Sequence, residues 1–438
     1  MNWDSLRNEA KHHLQDYLRL ATVNPPGNEI AGARFFEAIF NRESIPVRIF
    51  EPSPGRASVM ATLKGDGTQK PLLLLSHIDV VPVDREKWKI DPFSGTIHDG
   101  FLYGRGALDD KSMGIVGMMV MLLLKKERVP LKRDILFLAA ADEETGGTWG
   151  IEWAMEHLPV LREVEFALNE GGYVMLDENG AVDRYEISYG QKTLCQLKLT
   201  VRGTSGHGSM PHGDNPNVKL VRALDRVTRW ETPVRILPMV REYFAKMAPK
   251  QSPEDRPFYE DIEKGLEDPS FLKKLTSNPS YNAVLRDTFS LNVLQGGKKI
   301  NVIPSESTAL LDCRLLPGTP KDAFLKELQR HFGEGVEVDI VSESPSLPPS
   351  PFDTPLFKAI ERFAARHDPG APVVPLLLPG ATDSRFLREK GVIAYDFCPF
   401  RLSQKELMLV HGDNERIAVE NLEFGIKLML EVLREVAA

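Results

Sequence analysis

The feature that most constrains the fold is the segment PLLLLSHIDVVP, which runs from Pro71 to Pro82. Its four consecutive leucines predict a strand buried on both faces, the kind found in parallel sheets with helices on both sides. The apolar run then ends abruptly in Ser-His-Ile-Asp. Because side chains alternate along a strand, His77 and Asp79 are expected on the same side. Such a pair can hold a metal-binding imidazole in one orientation, although a lone His-x-Asp is more often a solvated strand end.

Acidic residues follow two further apolar segments. Ile135–Ala141 predicts a second buried strand, and the sequence ADEETGG at its end carries Glu143 and Glu144. Phe166–Leu168 predicts a third strand, which ends in NEGG with Glu170. Adjacent carboxylates repel one another unless cations compensate them, and ligands of open α/β sheets bind at the carboxyl ends of strands. Each acidic loop alone could be solvated, but three such strand ends together predict one site.

Two more segments add candidate ligands. YGRGALDDKSMG places Asp109 and Asp110 at the entrance of an apolar helix predicted at Ile115–Leu124, and LMLVHGDNERI places His411 in a loop. A helix cap explains one aspartate, whereas two in a row followed by lysine exceed what capping requires. Two histidines with several carboxylates suit a pair of borderline metal ions such as zinc. A bridging carboxylate would hold two ions about 3.5–4 Å apart around one activated water.

The middle of the chain follows a different pattern from the two ends. From Thr193 the apolar and polar residues alternate, which predicts half-buried antiparallel strands, and the order β-α-β-β-α-β predicts a ferredoxin-like unit. SESPSLPPSP (Ser342–Pro351) is a linker, after which helices and strands alternate again. The predicted fold is α/β, a mixed-sheet catalytic domain with helices on both faces that an α+β domain interrupts. The predicted parts are residues 1–192 and 346–438 for the catalytic domain and 193–345 for the inserted domain, with a helical insertion at about 241–283.

Composition excludes several classes of function. With 438 residues, 42% hydrophobic and 26% charged, the chain is an ordinary globular protein large enough for two domains. Its formal net charge of -8 argues against a nucleic-acid partner. The three widely spaced cysteines predict a reducing compartment. The amphipathic N-terminal segment is too polar for a signal peptide, and apolar runs fall short of the ~20 residues of a membrane span. We therefore expect a cytoplasmic protein without a membrane partner.

Eight motifs together resemble a known family. In chain order they are SHIDVVP, YGRGALDDKSMG, ADEETGG, NEGG, SGHGSMPH, NVIPSESTALLDCRLLPG, PGATDS and HGDNERI. They cover nearly the whole chain and look like the co-catalytic dinuclear zinc metallopeptidases, which include aminoacylase, glutamate carboxypeptidase, acetylornithine deacetylase and succinyl-diaminopimelate desuccinylase. The resemblance implies two Zn²⁺ per chain, with Co²⁺ or Mn²⁺ as alternatives. It also implies that the inserted domain is a lid that can pair two subunits in a homodimer.

The resemblance further implies individual roles. The metal ligands would be His77, Asp109 and Glu170 for one ion, and Asp109, Glu144 and His411 for the other. Asp109 is preferred to Asp110 as the bridge because the family's bridging aspartate stands three residues after the glycine of GRG. The catalytic residues would be Asp79, which orients His77, Glu143, the general base, and His207, which stabilises the oxyanion in its own site or in that of a partner subunit. Substrate contacts are implied for Asn301, Arg314, Gly380 and Thr382.

These roles imply a small-molecule substrate and a hydrolytic reaction. A metal-bridging hydroxide would cleave the amide bond of an N-acyl amino acid or a short peptide with a free carboxylate. Glu170, where other members have Asp, favours the acylase branch. A dipeptidase or carboxypeptidase proper stays open, as does a metal-binding regulator without activity, although the intact Glu143 weighs against that. Arg314 could instead be a solvated strand cation, and Asn301 a turn residue.

Overall fold

The structure is a computed structural model that describes residues 2–438. Its helices are α1 (Trp3–Leu18), α2 (Ile30–Arg42), α3 (Lys111–Lys126), α4 (Trp153–His157), α5 (Pro216–Thr228), α6 (Pro238–Met247), α7 (Arg256–Glu260), α8 (Ile262–Gly265), α9 (Pro269–Thr276), α10 (Pro279–Leu285), α11 (Lys321–Phe332), α12 (Pro355–His367), α13 (Ser384–Glu389), α14 (Gln404–Leu407) and α15 (Val419–Ala437). Within the described residues, none of these helices combines the length and apolar character that crossing a lipid bilayer demands.

The strands range from two residues to eleven. In chain order they are β1 (Val47–Ser53), β2 (Arg56–Leu63), β3 (Leu72–His77), β4 (Ile97–His98), β5 (Phe101–Tyr103), β6 (Ile135–Ala140), β7 (Phe166–Leu176), β8 (Val182–Gln191), β9 (Thr193–Arg202), β10 (Gly206–His207), β11 (Thr288–Gly296), β12 (Val302–Ile303), β13 (Glu306–Leu315), β14 (Glu337–Glu343), β15 (Val373–Leu378), β16 (Ile393–Leu402) and β17 (Arg416–Ala418).

The chain folds into two compact units. The larger unit runs to Tyr189 and resumes at Ser350–Leu376 and Thr382–Ala438, and the second comprises Gly190–Pro349 and Leu377–Ala381. The principal sheet has the order β1-β2-β6-β3-β7-β16-β8-β15. Its central pairs β6/β3, β3/β7 and β7/β16 are parallel, whereas β1/β2 and β2/β6 are antiparallel. The predicted α/β class with a mixed sheet is confirmed.

Parallel pairing at the centre of this sheet explains how distant motifs meet. All residues of β3 and β6 are buried, as their apolar runs predict. The two strands pair in register from Leu72 opposite Ile135 to His77 opposite Ala140, so both end at the same edge. Glu143 and Glu144 follow Ala140 closely in the chain and therefore lie near His77. The apolar helix α3, which starts after Asp110, is buried along most of its length.

The third strand that was predicted to carry a metal ligand differs from its predicted form. The predicted end at Leu168 is wrong, because β7 continues through NEGG to Leu176 and Glu170 lies within the strand. Gly171 has a φ of 147°, and a Cβ atom added there would lie 2.4 Å from Cβ of Asp396 on the neighbouring strand. The glycine is thus required by a close approach of two strands, whereas the same letters in sequence are typical of a turn.

The second unit has the predicted ferredoxin-like order. Its elements follow as β9, α5, β11, β13, α11 and β14, and its antiparallel sheet has the order β11-β13-β9-β14. Buried side chains of β9 and β13, including Leu197, Leu199 and Leu311, form one core with α5 and α11. Helices α6 to α10 stand between α5 and β11 in the chain, where the sequence predicts a helical insertion.

Candidate metal centre

The larger unit brings together two groups of side chains that share one carboxylate. The first group is His77, Asp109 and Glu170, and the second is Asp109, Glu144 and His411, with one potential ligand atom from each residue lying within 4.8 Å of the others in its group. Oδ1 of Asp109 lies 2.7 Å from Nε2 of His77, while its Oδ2 lies 3.0 Å from Nε2 of His411. Asp109 therefore turns one oxygen towards each group.

The remaining distances complete the two groups. Oε2 of Glu170 lies 3.5 Å from Nε2 of His77, and Oε2 of Glu144 lies 3.3 Å from Nε2 of His411. Among residues 2–438, the other oxygen of Glu144 is buried without a hydrogen-bond partner. The donors are imidazole nitrogens and carboxylate oxygens, the set that zinc and similar divalent ions accept. The residues present thus fit a pair of metal ions.

The tautomer of His77 strengthens this interpretation. Nδ1 of the ring lies 2.9 Å from the carbonyl oxygen of Asp79, an acceptor that requires a proton on Nδ1. When the ring is neutral, Nε2 carries no proton and its lone pair points towards Asp109 and Glu170. A lone pair facing two carboxylates is repelled unless a proton or a metal ion lies between them, and a metal-binding histidine has this arrangement. The peptide bond between Asp109 and Asp110 is cis.

The pKa values around the centre reflect crowded negative charge. Burial, followed by the charge of Asp109, raises the pKa of Glu170 to about 8. Hydrogen bonds to Asp109 and Glu144 raise the pKa of His411 to about 10. Burial opposes charge on His77, but the charge of Glu170 and the contact with Asp109 outweigh it and raise the pKa of the ring well above its usual range. The site therefore favours bound positive charge.

Glu143 lies beside the two groups without belonging to either. Burial and then the charge of Glu170 raise the pKa of the Glu143 carboxyl well above its ordinary value. Asp79 holds the turn that carries it, because Oδ1 accepts the backbone N–H of Glu143 at 3.2 Å and Oδ2 that of Glu144 at 3.1 Å. Oδ1 of Asp79 is 3.6 Å from Nδ1 of His77, so the carbonyl oxygen of Asp79 is the nearer partner of that ring nitrogen.

Comparison with known proteins decides the family. A model of peptidase family M20/M25/M40 matches residues 73–435, which is most of the chain. The chain belongs to the M20 family. Human N-fatty-acyl-amino acid synthase/hydrolase PM20D1 is 30% identical over 394 residues, covering 86% of this chain and 76% of that protein. Human aminoacylase-1 is 27% identical over 434 residues, covering 97% of this chain and 94% of that protein.

A solved structure of the same family shares the fold. The crystal structure of the M20 metallo-carboxypeptidase Sso-CP2 from Sulfolobus solfataricus superimposes with a TM-score of 0.73 at 20% identity, covering 98% of this chain and 99% of that one. The predicted family is therefore confirmed, and the protein is an M20 hydrolase related to aminoacylase and PM20D1. M20 enzymes are metal-dependent, in agreement with the ligand groups described above.

In this M20 protein a charged network that the sequence analysis missed supports the ADEETGG turn. Asp142 precedes Glu143. Its Oδ1 accepts a hydrogen bond from Nη2 of Arg56 at 2.6 Å, and its Oδ2 accepts one from the backbone N–H of Trp149 at 3.1 Å. Arg56 also contacts both oxygens of Glu29, which is fully buried. The cation that compensates the first acid of the motif is thus an arginine. Neither Arg56 nor Glu29 lies in a recognisable motif, so only the fold reveals them.

Replacing Arg56 with Met should destabilise the protein by about 3–5 kcal/mol, because two buried carboxylates would lose their cation. Urea unfolding of the variant measures this loss. Arg19→Met is the matched control, since Arg19 and Asp16 also form a 2.6 Å pair but are 52% and 62% exposed. We expect Arg19→Met to lower the free energy of unfolding by less than about 1 kcal/mol. Equal losses in the two variants would contradict a special role for the buried network.

In the second unit of this M20 chain, His207 and Asn301 are neighbours. β10 and β12 pair with His207 opposite Val302, and the N–H of Gly208 donates to the carbonyl oxygen of Asn301 at 2.8 Å. Nδ1 of His207 accepts the backbone N–H of Ser209 at 3.2 Å. A neutral ring therefore carries its proton on Nε2, where it can donate to an oxyanion.

The other predicted substrate contacts have differing surroundings. Arg314 is a quarter exposed, and its guanidinium pairs with Asp312 through Nε at 2.8 Å and Nη2 at 3.2 Å. Thr382, in the larger unit, is buried and donates to Oδ1 of Asp396 at 3.2 Å. A Cβ atom built on Gly380 would meet nothing within 4 Å among the described residues, so the space beside this glycine is open.

Proposed function

We propose that this M20 protein is a dinuclear zinc amidohydrolase that cleaves the amide bond of N-acyl amino acids. The observation that carries the proposal is Asp109, whose two carboxylate oxygens face two imidazoles that belong to separate ligand groups. His77 and Glu170 would complete the site of one ion, and Glu144 and His411 that of the other. Divalent ions bound there supply Lewis-acid chemistry, since they polarise an amide carbonyl and lower the pKa of water.

The chain's own residues would handle the proton and the developing charge. The carboxylate of Glu143 takes a proton from the attacking water and gives it to the amine nitrogen as the C–N bond breaks. Its neighbourhood favours this role, because burial and the charge of Glu170 raise the pKa of Glu143 and make the carboxyl a stronger base. Asp79 keeps the turn in place through the N–H groups of Glu143 and Glu144. Nε2–H of His207 would donate to the oxyanion.

The related proteins and four predicted substrate contacts support this substrate class. The names of PM20D1 and aminoacylase-1 describe hydrolysis of acylated amino acids, and both are more similar in sequence than the peptidase of known structure. Arg314 would bind the substrate carboxylate through a bidentate contact, exchanging its present partner Asp312 for the ligand. Asn301, Gly380 and Thr382 would contact the rest of the substrate. An acyl chain and a free carboxylate are therefore the expected features of the substrate.

A substrate panel tests the proposal. We expect the zinc-loaded enzyme to hydrolyse N-acetyl and N-fatty-acyl amino acids with at least tenfold higher kcat/KM than dipeptides that carry the same C-terminal residue. The matched control replaces the free carboxylate of the best substrate with a primary amide, which should lower kcat/KM about 10–100-fold through loss of the charged contact. Activity confined to dipeptides would contradict the acylase assignment and favour a dipeptidase. Activity that persists after all divalent ions have been removed would contradict the metal centre.

Other assignments stay predictions. These are the roles of residues 1–192 and 346–438 as a catalytic domain and of residues 193–345 as a lid, homodimerisation through that lid, and a cytoplasmic location. Sedimentation of the purified protein tests the dimer. The identity of the metal as Zn²⁺, with Co²⁺ or Mn²⁺ as alternatives, is tested by elemental analysis of the protein as isolated.

A further inference from the structure

We propose that Glu415 and Arg105 are positioning residues that hold the two metal-binding loops against each other. The inference rests on the proposed metal centre but concerns residues outside its ligand set. Arg105 is 2% exposed and Glu415 is fully buried, and they form a 2.7 Å ion pair between Nη1 and Oε2. Removing two charges from water is unfavourable, so such a pair persists only where good geometry and further hydrogen bonds offset that cost.

Those further hydrogen bonds converge on the segment that carries the shared ligand. Oε1 of Glu415 accepts the backbone N–H of Leu108 at 2.7 Å and of Asp109 at 3.1 Å. Its Oε2 accepts the N–H of Gly106 at 3.1 Å in addition to Arg105. With four donors, this carboxylate uses about its whole accepting capacity. One side chain thus fixes the backbone from residue 106 to residue 109, and with it the direction in which the Asp109 carboxylate points.

Arg105 connects the same carboxylate to the other loop. Its Nη2 donates to the carbonyl oxygen of His411 at 3.1 Å, while Nη1 contacts Glu415. His411 has a φ of 58°, a left-handed conformation that is unfavourable for a residue with a side chain. The backbone there needs support if the imidazole is to stay in place. A planar guanidinium with two separate arms can bridge the two acceptors, which an ammonium group cannot match in geometry.

A short strand pairing explains why these residues meet although 310 positions separate them. β17 pairs antiparallel with β5, with Arg416 opposite Tyr103. The N–H of Gly104 then donates to the carbonyl oxygen of Glu415 at 3.1 Å, just beyond the paired strands. Glu415 therefore lies beside the loop that leaves β5 and leads to Asp109. The β5/β17 pairing sets the distance between the HGDNERI loop and the YGRGALDDKSMG loop.

Zinc affinity measures this role independently of activity. Glu415→Gln keeps the size of the side chain but removes its charge and places an N–H donor among N–H groups. We expect it to weaken the binding of both Zn²⁺ ions about 10–100-fold in competition with a chromophoric chelator, the usual effect of losing a residue that orients metal ligands. The absorption spectrum of the Co²⁺-loaded variant should shift, since ligand directions change. Arg105→Lys should mainly weaken the binding of the ion near His411, because a single ammonium group can keep the ion pair with Glu415 but gives up the second contact, to the carbonyl oxygen of His411.

A matched control separates positioning from general stability. Arg133 is also a buried arginine, 4% exposed, and its Nη1 pairs with Oε2 of Glu165 at 2.9 Å. It lies just before β6 begins, at the end of the strand away from the ligands. Arg133→Lys and Glu165→Gln should lower stability without changing zinc affinity or the Co²⁺ spectrum. The comparison is made on variants whose circular dichroism matches the parent protein.

Two different outcomes can overturn the inference. A folded Glu415→Gln variant with parental zinc affinities and Co²⁺ spectrum would refute it while leaving the proposed function intact. If Glu415→Gln does not fold, Arg105→Lys decides by the same two measurements. If the parent protein itself binds no zinc, the proposed metal centre fails and this inference fails with it.

Discussion

Replacing Glu143 with Gln should lower kcat about 10³–10⁴-fold and leave two metal ions bound per chain. The substitution preserves the shape of the side chain but removes the base that accepts and returns a proton, a contribution of about this size. Glu143 belongs to neither ligand group, so the metal ligands stay in place. Steady-state kinetics on an N-acyl amino acid, together with elemental analysis of the same sample, measures both quantities.

The neighbouring residue provides the matched control for this prediction. Glu144→Gln makes the same chemical change one position further along, but Glu144 contacts His411 at 3.3 Å within the second ligand group. We expect it to lose one of the two ions, whereas Glu143→Gln keeps both. A Glu143→Gln variant with parental kcat would refute the proton-transfer role. Loss of metal in both variants would mean that Glu143 is a ligand instead of a base.

Replacing Asp109 with Asn should prevent binding of both ions and abolish measurable activity. Asp109 is the one member common to the two groups, with Oδ1 near His77 and Oδ2 near His411. An amide carries no charge and offers only one acceptor oxygen. At least one ion therefore loses its contact with residue 109, and the other loses the negative charge that offsets its own positive charge. Elemental analysis after equilibration with equimolar zinc measures the metal content directly.

Asp110→Asn is the control for Asp109→Asn. Asp110 is fully buried, and neither carboxylate oxygen has a hydrogen-bond partner among residues 2–438. Burial, followed by the charge of Glu170, raises the pKa of Asp110 well above its usual range, which disfavours the charged form. Asp110 belongs to neither ligand group, so exchanging its carboxyl for an amide of the same shape should leave zinc binding near the parental level. Two ions retained in Asp109→Asn, or equal loss in both variants, would contradict the bridging role.

Local sequence patterns predicted those elements whose signals are unambiguous. The buried strands β3 and β6 appear in the sequence as continuous apolar runs. Longer strands were underestimated where glycine or proline interrupts the pattern. β16 likewise runs from Ile393 to Leu402 past Pro399, a residue that is typical of strand ends. Register shifts on both sides of Phe397 accommodate that proline, and such irregular pairing leaves no periodic signal.

The candidate ligands and their order could be predicted because each belongs to a local motif at a strand end, at a helix start or in a loop. His77, Asp109, Glu144, Glu170 and His411 could be named from these motifs and from the family resemblance. Their convergence follows from the parallel register of β3 and β6, which sequence patterns only suggest. No local sequence pattern indicates that the Asp79 carboxylate would hold the turn by accepting the backbone N–H of Glu143.

By itself, the amino-acid sequence determined the family, the mixed α/β class and the kinds of side chain that can bind metal. Only the tertiary structure decided which buried charges support them. Glu415 is matched with Arg105 and Asp142 with Arg56, in each case across many residues of chain. The physical reason is that such partners are chosen by strand register and by the need to compensate a charge removed from water, and neither condition is written in a local pattern.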